Sequence, residues 1–182
     1  MTDSHDASAR RMLRHMLAAL AYRTQKALRG APDDFGAYEA GHGVRTPHEL
    51  VRHMTTVIGS ARAKMRGGTS APASMLTFAA EVARFHETLA LLHADFADPT
   101  LASTISDEQF LQGPLSDAMT HAGQLALLRR LAGAPVQGEN FILAAVRTDD
   151  VGERQPEPAS PDPHWQPGGT RAQSDSGARG RP

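Results

Sequence analysis

The residues best suited to chemistry in this chain are two histidines and an aspartate whose spacing places them on the inward faces of predicted helices. His53 lies three residues after Leu50 and four before Val57, on the apolar stripe of one helix. In a later helix, Asp117 and His121 are four residues apart and therefore lie one turn apart on the same face. Burying a carboxylate is costly unless it is paired or bound to a cation. The set therefore indicates a site for a divalent metal.

Gln124 continues this line of polar side chains by another turn of the same helix. It could orient His121 or a bound water, or it could be a buried amide that only stabilises helix packing. The three predicted ligands also have a structural interpretation, in which the histidines are hydrogen-bonded core residues. Asp117 would then be a first-turn anion that complements the helix dipole. Spacing alone leaves both interpretations open.

Two imidazoles and one carboxylate leave at least one position open on zinc, which can hold a water, a thiolate or a carbonyl oxygen. Zinc is the first choice of metal, and nickel, iron or manganese also suit these ligands. The chain has no cysteine, which excludes disulfides, a thiolate nucleophile and a Cys-based metal site. No catalytic residue can be assigned. Only Gln124, His86 and Tyr22 come into consideration as groups that could move a proton near the metal.

The apolar residues of the segment 1–147 recur at helical spacing, which predicts an all-α domain. We expect four long helices with loops at about residues 30–45, 66–73 and 98–113. The second helix has the clearest start, because Thr46-Pro47-His48-Glu49 has the pattern of a capping box with proline at the first helical position. The predicted helices are residues 8–28, a segment from Thr46 to just before Gly67, residues 74–96, and a segment from residues 113–114 to about 131. Residues 139–146 are apolar, and whether they are extended or helical stays open.

Residues 148–182 differ in composition from the rest of the chain, since they hold six of the 12 prolines and five glycines. Such a segment buries too little apolar surface to offset the loss of backbone entropy on ordering. We therefore expect one domain, residues 1–147, followed by an unstructured tail, residues 148–182. The histidines of the third helix, His86 and His93, are expected at the boundary with water and not in the metal site.

Residues 112–125, QGPLSDAMTHAGQL, together with Leu50-Val51-Arg52-His53, resemble the bacterial DinB/YfiT-like metalloenzymes. The resemblance implies an up-down four-helix bundle with a divalent metal near one end, held by His53, Asp117 and His121. Many members have a third histidine where this chain has Asp117. A carboxylate there is similar to the thiol-dependent maleylpyruvate isomerases, which bind zinc with two histidines and one acid.

The resemblance implies a metal-dependent S-transferase or isomerase in which the metal activates a low-molecular-weight thiol toward a small-molecule substrate. A metal-dependent hydrolase and a non-enzymatic metal-binding or stress-related bundle are the alternatives. The 19 basic and 20 acidic residues nearly cancel, which disfavours nucleic acid and anionic membranes as partners. No apolar run is long enough to span a bilayer, and the N-terminal residues lack a signal-peptide core, so we expect a cytoplasmic protein. Bundles of this kind often pair through a helix face, so a homodimer is a further expectation.

Overall fold

The structure, a computed structural model, describes residues 2–70 and 74–167. Over these ranges the chain is all-α, as its periodicity predicted, and the nearest approach to a β-strand is an isolated bridge between Glu139 and Pro161. Four long helices form the body of the fold, and a short helix and a π-helical turn lead into the last of them. The bounds are α1 Thr2–Leu28, α2 Pro47–Met65, α3 Phe78–Ala97, α4 Asp107–Phe110, the π-helical turn Leu111–Leu115 and α5 Ser116–Leu131.

The helices α1 and α2 lie at opposite corners of the bundle, because each of them packs against both α3 and α5. The space between the four helices is filled by large side chains with less than 2% of their surface exposed. These include Leu17, Leu20, Met54, Ile58, Phe85, Leu89, Leu92 and Leu115. This single core holds the polar residues described below in fixed positions.

Helices α2 and α3 are parallel neighbours. At their first turns, the ring of His48 lies 6.1 Å from that of Phe78. At their last turns, Arg66, directly after α2, donates a hydrogen bond of 2.7 Å to Asp95 of α3. The two helices therefore start at the same end of the bundle.

Helix α1 is antiparallel to α3. Gln25, near the end of α1, lies 3.0 Å from His86 in the first half of α3. Arg14, in the middle of α1, lies 3.2 Å from His93 in the second half of α3. The order of contacts along one helix thus reverses along the other.

Helix α1 is parallel to α5. Arg129, near the end of α5, donates a hydrogen bond of 3.0 Å to the carbonyl oxygen of Ala27, near the end of α1. At the other end, Arg10 of α1 pairs at 2.8 Å with Asp107 in the helical segment that precedes α5. The four helix directions are therefore up, down, down and up.

The up-down alternation that the resemblance implied is wrong at α3. Parallel neighbours need a connection that returns along their length, and residues 66–77 provide it. An extended chain of that length reaches about 40 Å, whereas α2 is only about 28 Å long. Ser70 lies beside Gly59 of α2, so the described residues 66–70 of the connection run back along the helix.

The predicted start of α2 is confirmed. The Thr46 side chain accepts a hydrogen bond of 3.2 Å from the Glu49 amide, and the Glu49 carboxylate accepts one of 2.9 Å from the Thr46 amide. Pro47 is the first helical residue. These reciprocal bonds satisfy amide groups that a helix start would otherwise leave without partners.

Three other predicted helix starts need correction. Helix α1 begins at Thr2 instead of residue 8, and α3 begins at Phe78, after the N-cap Thr77, instead of at residue 74. The last helical segment begins at Asp107 and not at residues 113–114, because Ser106 and Gln109 form a second capping box.

The predicted unstructured tail is wrong for residues 148–167, which lie against the bundle; residues 168–182 are outside the described residues. Val151 is only 7% exposed. Arg29 donates hydrogen bonds to the Gln155 carbonyl oxygen and to the Glu157 carboxylate. Hydrogen bonds from Arg29, directly after α1, thus hold a segment that has little apolar surface of its own. Residues 139–146, left open above, form turns and extended chain without a helix.

The predicted boundary position of His86 is also wrong, because residues 148–151 cover it. His86 is 4% exposed and its Nδ1–H donates a hydrogen bond of 2.8 Å to the Val151 carbonyl oxygen. His93 lies 2.9 Å from the Thr148 carbonyl oxygen through Nε2. Burial lowers the pKa of both histidines below the ordinary value, so the neutral forms are favoured.

We predict that ending the chain after Arg147 destabilises the fold. The truncated chain loses the contacts of Val151 and the hydrogen bonds to His86 and Arg29, which together should reduce the free energy of unfolding by about 1 to 3 kcal/mol. Thermal unfolding followed by circular dichroism should show a melting temperature lower by roughly 3 to 10 °C. An unchanged melting temperature would contradict this packing.

We also predict that stability falls as the pH is lowered from about 7 to about 5. The pKa of His86 is lower in the folded state than the ordinary value of about 6.5 in the unfolded chain. In this pH window the unfolded chain therefore binds a proton that the folded chain does not, and unfolding is favoured. His86→Asn preserves a side-chain N–H donor but does not titrate, so its melting temperature should depend less steeply on pH. Equal pH dependence in the two proteins would refute the assignment to His86.

Candidate metal centre

The three predicted ligands meet where α2 packs against α5. His53 lies in the second turn of α2, and Asp117 and His121 lie in the first two turns of α5. Leu50 and Leu125, on the same faces as His53 and His121, are 2% and 0% exposed and anchor the two helices in the core. The packing of apolar neighbours thus brings the polar residues of the two helices together.

The nitrogen and oxygen atoms of the cluster are close enough to share one ion. His53 Nε2 lies 3.2 Å from Asp117 Oδ2, and His121 Nε2 lies 3.5 Å from Asp117 Oδ1. The three ligand atoms lie within 4.8 Å of one another. Two ligands at about 2.05 Å from a tetrahedral zinc are about 3.3 Å apart. The two contacts to Asp117, which involve different carboxylate oxygens, are close to that spacing, and a separation of up to 4.8 Å needs only a small movement of the side chains to share an ion.

The cluster is buried on one side and open on the other. The exposed fraction of the side chain rises from 10% in His121 to 31% in His53 and 44% in Asp117. The two histidine rings are almost perpendicular, with their centres 4.8 Å apart. An ion bound there would contact His121 on its buried side and would be accessible to a small molecule on the side of Asp117, which faces solvent.

Gln124 determines which nitrogen of His121 faces the cluster. His121 Nδ1–H donates a hydrogen bond of 2.7 Å to Gln124 Oε1. In the neutral ring this places the lone pair on Nε2, which points toward Asp117 and His53. A hydrogen bond of this kind orients the ring and increases its basicity as a metal ligand. Of the two roles considered for Gln124, the structure therefore favours the orientation of His121.

A π-helical turn, Leu111–Leu115, directly precedes the helix that carries Asp117 and His121. Pro114 lies inside this turn, and proline has no N–H to donate and sterically opposes an ordinary helical turn. The wider turn accommodates the ring, and Ser116 Oγ donates a hydrogen bond of 2.6 Å to the Leu111 carbonyl oxygen. The helix then continues from Ser116 with Asp117 in its first turn. Single-turn π-helical segments are frequent at functional sites.

The loop between α1 and α2 forms a cleft beside the cluster, although the sequence did not single out any of its residues as functional. Ala40, Gly43, Val44 and Arg45 lie opposite His121 and Gln124 across a cleft of about 500 Å³. Three successive residues of this loop have positive φ: Gly41 at 78°, His42 at 54° and Gly43 at 73°. Only the glycine content around His42 signals this turn in the sequence.

Two of the side chains considered for proton transfer, Tyr22 and His86, form hydrogen bonds away from the metal cluster. The Tyr22 hydroxyl donates a hydrogen bond of 2.7 Å to Glu139, and burial together with that carboxylate raises the pKa of the hydroxyl. His86 is bonded to Gln25 and to the Val151 carbonyl oxygen. Neither side chain belongs to the cluster of His53, Asp117 and His121. Of the three candidates, only Gln124 touches a predicted ligand.

Comparisons of this chain with protein-family models, with curated proteins and with solved structures give no match. The relation to the DinB/YfiT-like proteins therefore remains a resemblance of the residues quoted above. Among the described residues, none of the helices combines the length and the apolar character needed to cross a bilayer.

We predict that His121→Ala abolishes stoichiometric binding of zinc. The substitution removes the most buried of the three predicted ligands, whereas His93→Ala, a control on α3, removes an imidazole outside the cluster. Metal analysis after gel filtration, together with a zinc titration, should give about one zinc per chain in wild type and His93→Ala. Retention of that stoichiometry by His121→Ala would mean that the ion is bound elsewhere.

Proposed function

We propose that this protein binds one divalent metal through His53, Asp117 and His121 and is a metal-dependent enzyme of the DinB type. The observation that carries the proposal is the convergence of these three side chains, with His121 Nε2 directed into the cluster by Gln124. Zinc is the preferred ion because two imidazoles and one carboxylate are typical of its catalytic sites. Nickel, iron and manganese are the other ions that this set accommodates.

The reaction class that we propose is S-transfer or isomerisation with a low-molecular-weight thiol as cofactor. A bound zinc supplies a Lewis acid that lowers the pKa of a coordinated thiol. The protein contributes the buried imidazole of His121 on the core side of the site. The more exposed Asp117 marks the solvent side, from which a thiol and a small-molecule substrate can reach the ion. The resemblance of residues 112–125 supports this class over a hydrolase.

A metal-binding protein without catalysis is the second candidate, and the positions of Tyr22 and His86 favour it. Both residues are engaged in hydrogen bonds away from the cluster, so Gln124 is the only one of the three groups considered that contacts a ligand. An amide can orient a ligand but is not a general base. If the protein is an S-transferase, none of Tyr22, His86 and Gln124 serves as the base that accepts the thiol proton.

A thiol titration of the cobalt(II)-loaded protein separates the two candidates. With 2-mercaptoethanol as the probe, coordination of the thiolate should produce a near-ultraviolet charge-transfer absorption in the wild type and none in His121→Ala. Cobalt binding without this absorption would favour the non-enzymatic candidate. Failure to bind cobalt or zinc at all would contradict both.

We predict that Asp117→His retains a metal but changes its preference. The substitution creates a set of three histidines, which still suits zinc but removes the carboxylate charge. The variant should bind about one zinc per chain and should bind manganese, which prefers oxygen ligands, more weakly than the wild type does. Competitive titration of the two metals measures this ratio. An unchanged ratio would mean that Asp117 does not contact the ion.

A further inference from the structure

The cleft beside the metal centre has apolar walls and reaches one of the proposed ligands, His121. One wall is the loop with Val44 and Arg45, and the other is the last turns of α5 with Leu127 and Leu131. His121 and Gln124 line the same cleft, so its wall includes one of the three proposed ligands and the side chain that orients it. Its volume of about 500 Å³ is in the range of small-molecule sites.

About half of the surface of three apolar side chains at the cleft is exposed. Val44, Leu127 and Leu131 are 51%, 54% and 55% exposed. They come from two different elements and face one space, whereas scattered exposed leucines are ordinary at a protein surface. The fold gains little from these side chains, but a ligand with an apolar body would remove their surface from water.

The charge of the cleft restricts its ligand further. Among the residues that line it in the described part of the chain, Arg45 carries the only full charge at neutral pH, and no acidic side chain is among them. A divalent ion bound by His121 would add positive charge to the same cleft. A cationic ligand is therefore disfavoured, and a neutral or anionic one suits the cleft.

We propose that this cleft is the substrate pocket of the metal centre and takes a small molecule with an apolar body and a neutral or anionic oxygen-bearing head. The head lies at the ion beside His121, and the body lies between Val44 and the two leucines of α5. This inference rests on the proposed metal site and adds the chemical class of the substrate.

A second apolar cleft serves as an internal control. It lies between α1 and α4, is lined by Met12 and Leu111 among others, and has none of the proposed ligands in its lining. Met12 is 70% exposed, so Met12→Asp places the same charge on a similarly exposed apolar residue as Leu127→Asp does. The two variants differ in their distance from the metal centre and not in the kind of change.

The test compares two hydroxamic acids that share a metal-binding head and differ in the length of the apolar body. Acetohydroxamate and octanohydroxamate are titrated calorimetrically into the zinc-loaded full chain after free zinc has been removed. We expect octanohydroxamate to bind at least tenfold more tightly to the wild type and to Met12→Asp. In Leu127→Asp and Leu131→Asp the preference should fall below about threefold while the zinc stoichiometry is unchanged.

The outcomes distinguish the pocket from the metal site. If the wild type holds zinc but binds both hydroxamates equally or binds neither, the pocket is overturned and the metal site stands. If Met12→Asp loses the preference and Leu127→Asp retains it, the apolar body lies in the other cleft and the proposal is overturned. If the wild type does not hold zinc, the proposed function fails and this inference fails with it.

Discussion

The contact between His53 of α2 and Asp117 of α5 is the interaction on which the candidate site depends. The two residues are 64 positions apart in the chain. They meet only because α2 runs antiparallel to α5, which brings His53 in the second turn of α2 beside Asp117 in the first turn of α5. A tight turn between α2 and α3 would make these neighbouring helices antiparallel. The long connection of residues 66–77 allows them to run parallel. That arrangement leaves the face of α2 that carries His53 free to pack against α5.

The cost of removing polar groups from water explains why this cluster would bind a cation. Two imidazoles and a carboxylate lie at a helix interface whose neighbouring positions are apolar, and removing polar groups from water is costly unless they are paired. The hydrogen bond between His53 and Asp117 satisfies part of this requirement. A divalent cation would satisfy all three groups at once, and the hydrogen bond from His121 to Gln124 already orients one ligand for it.

Local patterns predicted the parts of this structure that depend on neighbouring residues in the chain. The capping box at Thr46 and the common face of Asp117 and His121 follow from spacing within one helix, and both are present. The direction of α3 and the covering of His86 by residues 148–151 depend on contacts between distant segments. No local pattern encodes such contacts, because the same polar residues would also suit an unstructured tail or a solvent-facing helix. The second capping box, Ser106 with Gln109, is also a local sequence pattern. The predicted start of the last helix lay later because proline, here Pro114, is typical of the first helical position.

The most direct measurement of the central claim is the position of zinc in crystals of the zinc-loaded protein, located by anomalous scattering at the zinc absorption edge. We expect one strong peak at full occupancy between α2 and α5, within about 2.0 to 2.2 Å of His53 Nε2, His121 Nε2 and an Asp117 carboxylate oxygen. A peak at other histidines, or no ordered peak at this interface in a protein saturated with zinc, would contradict it.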